Sequence, residues 1–451
     1  MSNWYLAKDT KVLKHNNKGL TVSDRIPYID IQCPAGFDPQ AEGCGKPYGS
    51  WTQISVSNNV WRFECKYSKW HDLFYSNRVS GRGDFQATDG YFRCVGSGNT
   101  DLVIYMDGLF RQCTGLRYCE SIDTSNCVNL SAMFAECESL LVIPYLDTTN
   151  NLDFNNFAVS CYQLESVDAN IDTSNGRCFW WMFYNCWALE TVPTIDLRNV
   201  SETWQSEFSR RGGCDHMFFG CKALRYVHLI GGAGIACPSG MFKYVNDQYD
   251  PRLEIVWDQC NLPLVTGAVP DQDGYAAEPM FSDYTIYSIS SISFPNLVDN
   301  TPYYFPKALK YGDIYMPKVV YNYTGSGGWE FRFPSRVYEI GSIDFGHEQP
   351  LTRSTDLYSE MFRECDRLTE FPDIKMPALG SGVKAKIWYM FYHAYSVSGG
   401  AYDFYLDLVS KGYGNQTADY HRNTFTDCGS YDYYGSQDLA KIPNDWKGGY
   451  S

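Results

Sequence analysis

MFAECESLLVIPYLD, residues Met133 to Asp147, returns along the chain with its skeleton kept and its surface letters changed. The skeleton is an apolar residue and Phe, two variable residues, Cys, two variable residues, Leu, and then a short apolar-Pro-apolar-Asp segment. It recurs as LFRQCTGL (Leu109–Leu116), MFYNCWALETVPTIDL (Met182–Leu197), MFFGCKALRYVHL (Met217–Leu229) and MFRECDRLTEFPDI (Met361–Ile374). Weaker copies lie between them. FAVSCYQLESVD (Phe157–Asp168) keeps Cys161 and Leu164 with one extra residue after Phe157, MFYHAYSV at Met390 and FTDC at Phe425 keep half the pattern, and Met241-Phe242 and Met280-Phe281 lack the Cys. Phe-to-Phe intervals from Phe110 to Phe281 are 24, 23, 26, 35, 24 and 39 residues, a basal period of about two dozen with insertions.

The repeat positions are Phe110, Cys113 and Leu116; Phe134, Cys137 and Leu140; Cys161 and Leu164; Phe183, Cys186 and Leu189; Phe218, Cys221 and Leu224; Phe362, Cys365 and Leu368; Phe391; and Phe425 with Cys428. In MFAECESL the spacing puts Phe134, Cys137 and Leu140 on one face of a helical turn, which predicts a short helix packing inward. LLVIPYLD alternates and is β-prone, with its Pro at a strand start or edge. One unit cannot bury both halves alone, whereas stacked units bury Phe over Phe and Cys over Cys. Asp123–Asn126, Asp147–Asn150 and Asp172–Asn175 are expected to turn the chain by bonding their own backbone. The period is that of a leucine-rich repeat, so the expected fold is an α+β repeat solenoid, a stack of short strands and short helices.

MFxxCxxL followed by apolar-Pro-apolar-Asp-Thr-Ser-Asn resembles the BspA-like leucine-rich repeat family, which occurs in surface proteins of bacteria and some protozoa and in phage-encoded proteins. The resemblance covers roughly Leu109 to Ile374, continues to about Ile442, and does not reach the first hundred residues. It implies a scaffold that presents a recognition surface, as in adhesins. Residues 244–337 depart from the pattern. Phe305 and Phe331 keep the period there, which reads as divergent units with protruding loops or as an inserted domain.

Residues 1–100 read as a separate small β-rich domain or cap, because Ser50–Tyr67 and Asp89–Gly96 alternate apolar and polar residues. Residues 101–451 form the repeat body. An end cap is expected, since an open end would expose core. The ending SQDLAKIPNDWKGGYS reads as a last strand or a C-terminal cap.

A net charge of −15 and no Lys/Arg cluster argue against a nucleic-acid surface. The 36 Tyr and 12 Trp suit either a recognition surface or large repeat cores. Seven of the 17 cysteines share one repeat position, where Cys acts as a small apolar residue and is expected to stay a free thiol. Cys33 with Cys44, or Cys65 with Cys94, could form a disulfide or hold a metal. No apolar run is long enough for a signal peptide or a membrane span.

Chemical sites are sparse. His216 with Cys214, Asp215 and Cys221 matches no zinc spacing, and a turn role is expected for it. Asp271, Asp273 and Glu278 only faintly resemble a calcium loop, and a solvated turn is expected. Arg82-Gly83-Asp84 and the sequons at Asn129, Asn199, Asn322 and Asn415 carry little weight. No metal site, cofactor site or catalytic constellation is expected. The expected function is a non-enzymatic virion component of a phage, a fibre or decoration protein. It would meet other virion proteins through its N-terminal region and a host-surface protein or glycan through its repeats. The alternatives are a cell-surface adhesin and a glycan-cleaving enzyme, the latter needing two carboxylates across an aromatic cleft.

Overall fold

The computed structural model describes residues 25–39, 51–57, 59–65, 70, 91–201, 213–235, 239–246, 251–260, 280, 286–293, 307–316, 332–356 and 358–448. They are mostly strands and turns in several sheets with few helices, a mixed α+β fold. The chain divides into two compact units, residues 1–175 and 176–451. The first therefore holds the N-terminal sheet together with the first repeats, whereas the sequence pattern changes near residue 100.

In the first unit, β1 (Tyr28–Gln32), β2 (Trp51–Ser57), β3 (Val60–Cys65) and β4 (Phe92–Gly98) pair antiparallel in the order β2-β3-β1-β4. Alternation places Ile29, Ile31, Phe63, Cys65, Phe92 and Cys94 in the core. β5 (Leu116–Cys119), from the first repeat, then adds to β4 in parallel. β6 (Val142–Ile143) and β7 (Ser166–Val167) form a further parallel pair.

In the second unit, β8 (Ile195–Asp196), β9 (Tyr226–Ile230), β10 (Glu254–Asp258), β11 (Ile286–Ile289), β13 (Ala308–Tyr311) and β15 (Glu339–Ile340) form one parallel sheet in chain order. A second parallel sheet joins β12 (Ile292–Ser293), β14 (Ile314–Tyr315), β16 (Ser342–Asp344) and β17 (Asp373–Lys375). The described strands within 244–337 keep this order between regular repeats. Phe281, Phe305 and Phe331 lie outside the described residues; the ring that stacks on Phe362, at 4.8 Å, is Phe333.

The segments expected to be short helices are not helices. They are successive turns in which the residue before Met and the residue before Cys both take left-handed backbone. The pair recurs nine times among the described residues: Gly108/Gln112, Ala132/Glu136, Asn156/Ser160, Trp181/Asn185, His216/Gly220, Gly240/Tyr244, Glu360/Glu364, Tyr389/His393 and Asn423/Asp427. Hydrogen bonding gives the reason. Met133, Ala135 and Cys137 donate three residues back, to Leu130, Ala132 and Phe134, while Ala132, Phe134 and Glu136 donate to Asn155, Phe157 and Val159 of the next segment. A helix would commit every N–H within its own segment. The alternating turns leave every second one for the neighbour.

This ladder also sets the register. Phe134 donates to Phe157 just as Phe110 donates to Met133, so Phe157 takes the Met slot and Ala158 the Phe slot. No extra residue is inserted. Thr424 likewise replaces Met, its buried hydroxyl donating to Ile387 O at 3.0 Å.

All the repeat Phe, Cys and Leu positions named above are at most 2 % exposed. Phe rings form columns, with centroids 5.6 Å apart for Phe110 and Phe134, 5.9 Å for Phe183 and Phe218, and 4.6 Å for Phe362 and Phe391. The Cys thiol has a further task. Cys137 Sγ donates to Phe110 O at 3.0 Å, Cys161 Sγ to Phe134 O at 3.0 Å, and Cys221 Sγ to Phe183 O at 3.1 Å. Burial pushes the Cys137 and Cys221 thiols up and that of Cys428 to about 12, so they stay protonated and able to donate. Asp123, Asp147 and Asp172 accept from Ser125, Thr149 and Ser174 N–H at 3.0, 3.2 and 2.8 Å, closing the expected turns.

The C-terminal region carries three α-helices among the described residues: α1 (Ala401–Ser410), α2 (Tyr433–Lys441) and α3 (Asn444–Lys447). Ala401, Phe404 and Leu408 form the buried stripe of α1. The SQDLAKIPNDW stretch is thus helical, not a strand. Trp446 is buried, its carbonyl accepts from Phe425 N–H at 3.0 Å, and its ring lies 4.3 Å from His421, so it caps the last turn segment.

Cys137→Ala is expected to cost roughly 1–2 kcal/mol in urea unfolding, and Cys137→Asp several-fold more because a carboxylate would be buried unpaired. An Asp variant as stable as the Ala variant would show that the column is not a packed interior.

Candidate functional site

The turn ladder directs Met, Phe and Cys inward and leaves three positions per segment along its edge: the two left-handed residues and the residue after Phe. In the first unit this edge is polar, with Gln112 Nε2 donating to Glu136 Oε2 at 3.1 Å. In the second unit it is aromatic.

Trp180 stacks on Trp181 at 4.7 Å, Trp181 on Tyr184 at 4.5 Å, and Tyr184 on Phe219 at 4.7 Å with planes 7° apart. Tyr244 meets Phe219 edge-on at 5.1 Å, and the Lys243 ammonium lies 5.1 Å above the Tyr244 ring. His216, in left-handed backbone and 8 % exposed, sits among these rings, 5.3 Å from Phe219. Its role is therefore that of a turn residue in an aromatic cluster.

A second cluster follows from the segments at 360, 389 and 423. The Arg363 guanidinium lies 5.7 Å over Tyr389 and 5.4 Å over Tyr392, and donates to Glu360 at 2.9 Å and to Glu364 at 3.2 Å. Tyr392 stacks on His393 at 3.7 Å, His393 on Tyr395 at 5.1 Å, and Tyr395 on Tyr431 at 4.6 Å. Tyr431 is 78 % exposed, and Tyr433 and Tyr434 beside it are 71 % and 67 % exposed. Trp388 is flanked by the cations of Lys386 and Arg422 at 5.2 and 5.1 Å.

These residues escape a reading by motif type, but their offsets from the Met-Phe-Cys skeleton could have found them. Trp181 and Tyr389 precede Met, Tyr184, Phe219, Arg363 and Tyr392 follow Phe, and Tyr244 and His393 end the turn. The sequence also gave no sign of a hydroxyl–imidazole–carboxylate chain over three parallel strands. Thr194 Oγ1 lies 3.2 Å from His228 Nδ1, and His228 Nε2 lies 2.7 Å from Asp258 Oδ2. The acid of a nucleophile relay is buried, whereas the Asp258 side chain is 58 % exposed.

Among the described residues, the other sequence candidates form no site. Among the described residues no group of three or more His, Cys, Asp or Glu could hold a metal ion. Residues 82–84, 271–278, Cys44 and Asn322 lie outside the described residues. Asn129 is buried, whereas Asn199 and Asn415 are exposed. β1 lies between β3 and β4, which keeps Cys65 and Cys94 apart. No described helix is long and apolar enough to cross a membrane. Among known protein families, curated proteins and solved structures, none matches this chain.

A double-mutant cycle on Tyr184 and Phe219, each to Ala, is expected to give a coupling of about 0.5–1.5 kcal/mol. A coupling indistinguishable from zero would mean that the rings are only neighbours. A second prediction concerns pH. Burial raises the Glu364 carboxyl, but Arg332, at 2.9 Å, and Arg363 outweigh burial and hold it below its ordinary value. Its stabilisation is full above the unfolded-state value, about 4.3, and is lost as pH falls through the lower folded value. The stability gap between wild type and Glu364→Gln should therefore close below about pH 4 in acid-unfolding curves; a gap constant with pH would refute this role.

Proposed function

We propose that this chain is a BspA-like leucine-rich-repeat solenoid and a non-enzymatic recognition protein, carried as a virion component of a phage. The solenoid reading is supported by parallel strands paired in chain order and by turn segments whose N–H groups alternate between their own and the next segment. The recognition reading rests on one observation, the aromatic edge of the second unit ending in the exposed Tyr431, Tyr433 and Tyr434. Tyr offers contact area at small rotamer cost and a hydroxyl for a polar partner, which suits a host-surface protein or glycan. Stacking at 4.6 Å on Tyr395 holds the Tyr431 ring in place, so little further ordering is lost on contact.

The test begins with sedimentation of material from the native source, in which the chain is expected to travel with a particle of many megadaltons. Particles carrying Tyr431→Ser with Tyr434→Ser should then attach to host cells about tenfold less well or worse. A chain found free or on a cell envelope would overturn the virion assignment in favour of an adhesin. Unchanged attachment would overturn the aromatic edge as the contact surface.

A further inference from the structure

Cys94 of β4 and Cys119 of β5 are direct register partners where the repeat strand joins the N-terminal sheet. Neighbouring strands lie about 4.8 Å apart, inside the Cα separation that a disulfide accepts. Cys119 Sγ donates to Glu120 O at 3.3 Å and Cys94 Sγ to Gly96 O at 3.9 Å, both local carbonyls, and the Cys94 thiol acts directly on that of Cys119. The thiols of Cys137, Cys161 and Cys221 bond Phe carbonyls of a neighbouring segment in the core, whereas Cys119, alone among the described cysteines, is only part-buried and bonds the carbonyl of the next residue.

We infer that Cys94 and Cys119 are a disulfide-forming pair that locks the N-terminal sheet to the first repeat when the protein meets an oxidising surrounding. With a glutathione-type disulfide as oxidant, the Cys119 thiolate attacks one sulfur, breaks the S–S bond and releases one thiol. Cys94 then loses its proton to solvent and attacks the Cys119 sulfur, expelling the second thiol. The pair loses two hydrogens while the oxidant is reduced to two thiols. The neighbouring Cys94 thiol, and after it the partial burial of the site, push the Cys119 thiol well up, so little thiolate is present at neutral pH and the reaction quickens toward alkaline pH. The bond closes the loop that holds the first turn segment, so it restrains the unfolded chain.

The experiment treats the folded, reduced full chain with oxidised glutathione, blocks remaining thiols, and maps peptides without reduction. The expected result is a peptide linking Cys94 to Cys119, the loss of two hydrogens, a raised melting temperature, and reversal of all three by dithiothreitol. In Cys94→Ser, a glutathione adduct should accumulate on Cys119 because nothing resolves it. Both thiols recovered unmodified from wild type, a glutathione adduct that persists on wild-type Cys119, or oxidation directed instead at the repeat column would each overturn the assignment.

Discussion

The rest of this structure depends on how the turn segments share their backbone N–H groups. A buried amide must find an acceptor, and a short helix finds it inside its own segment. Here a left-handed residue every fourth position breaks that closure, and alternate N–H groups reach the next segment, as Ala132, Phe134 and Glu136 do. Left-handed backbone costs a non-glycine residue about 1–3 kcal/mol, and such residues persist only where the surroundings over-determine them. The surroundings are the flanking bonds and the burial of the residues between. Ala132 and Glu136 are held because Met133, Phe134, Ala135 and Cys137 are each at most 2 % exposed.

The columns of side chains follow from that ladder. Once Phe110 donates to Met133 O and Phe134 to Phe157 O, like positions must lie one above another. Rings in the Phe slot then stack, and a small group is required where the turn ends. Cys meets the size and adds a donor for the Phe carbonyl of the previous segment. Val245 and Ala394 fill the same slot in other segments and are buried there too, so packing selects the slot and the thiol adds to it.

Period, inward positions and Asp-led turns were legible in the sequence because they depend on side-chain type. The conformation of the turns was not. Glu136, Trp181 and Tyr389 have no intrinsic taste for left-handed backbone, and only the neighbouring segment imposes it. For the same reason Phe157 looked like a Phe-slot residue followed by an insertion, when bonding from Phe134 puts it in the Met slot. Helix α1 is not evident in the sequence because AYDFYLDLVS is short and interrupted by three aromatic residues, and its stripe of Ala401, Phe404 and Leu408 has meaning only against a core. The Cys94 and Cys119 pairing depends on a register between two strands of different patterns, which no local spacing encodes.

The aromatic edge is the part of the candidate site that the scaffold makes easy. Segments bonded through their backbones lie roughly 4.8 Å apart, and rings stack at closely similar separations, as Tyr184 and Phe219 do at 4.7 Å. An aromatic residue at an edge position therefore meets its neighbour in the next segment without displacing any core atom. Gln112 and Glu136 use the same positions to form a hydrogen bond, so the scaffold tolerates different chemistry there. The edge changes from polar to aromatic while the Phe and Cys slots stay buried and apolar, and a surface that varies over a constantly apolar core is where recognition can be built without loss of the fold.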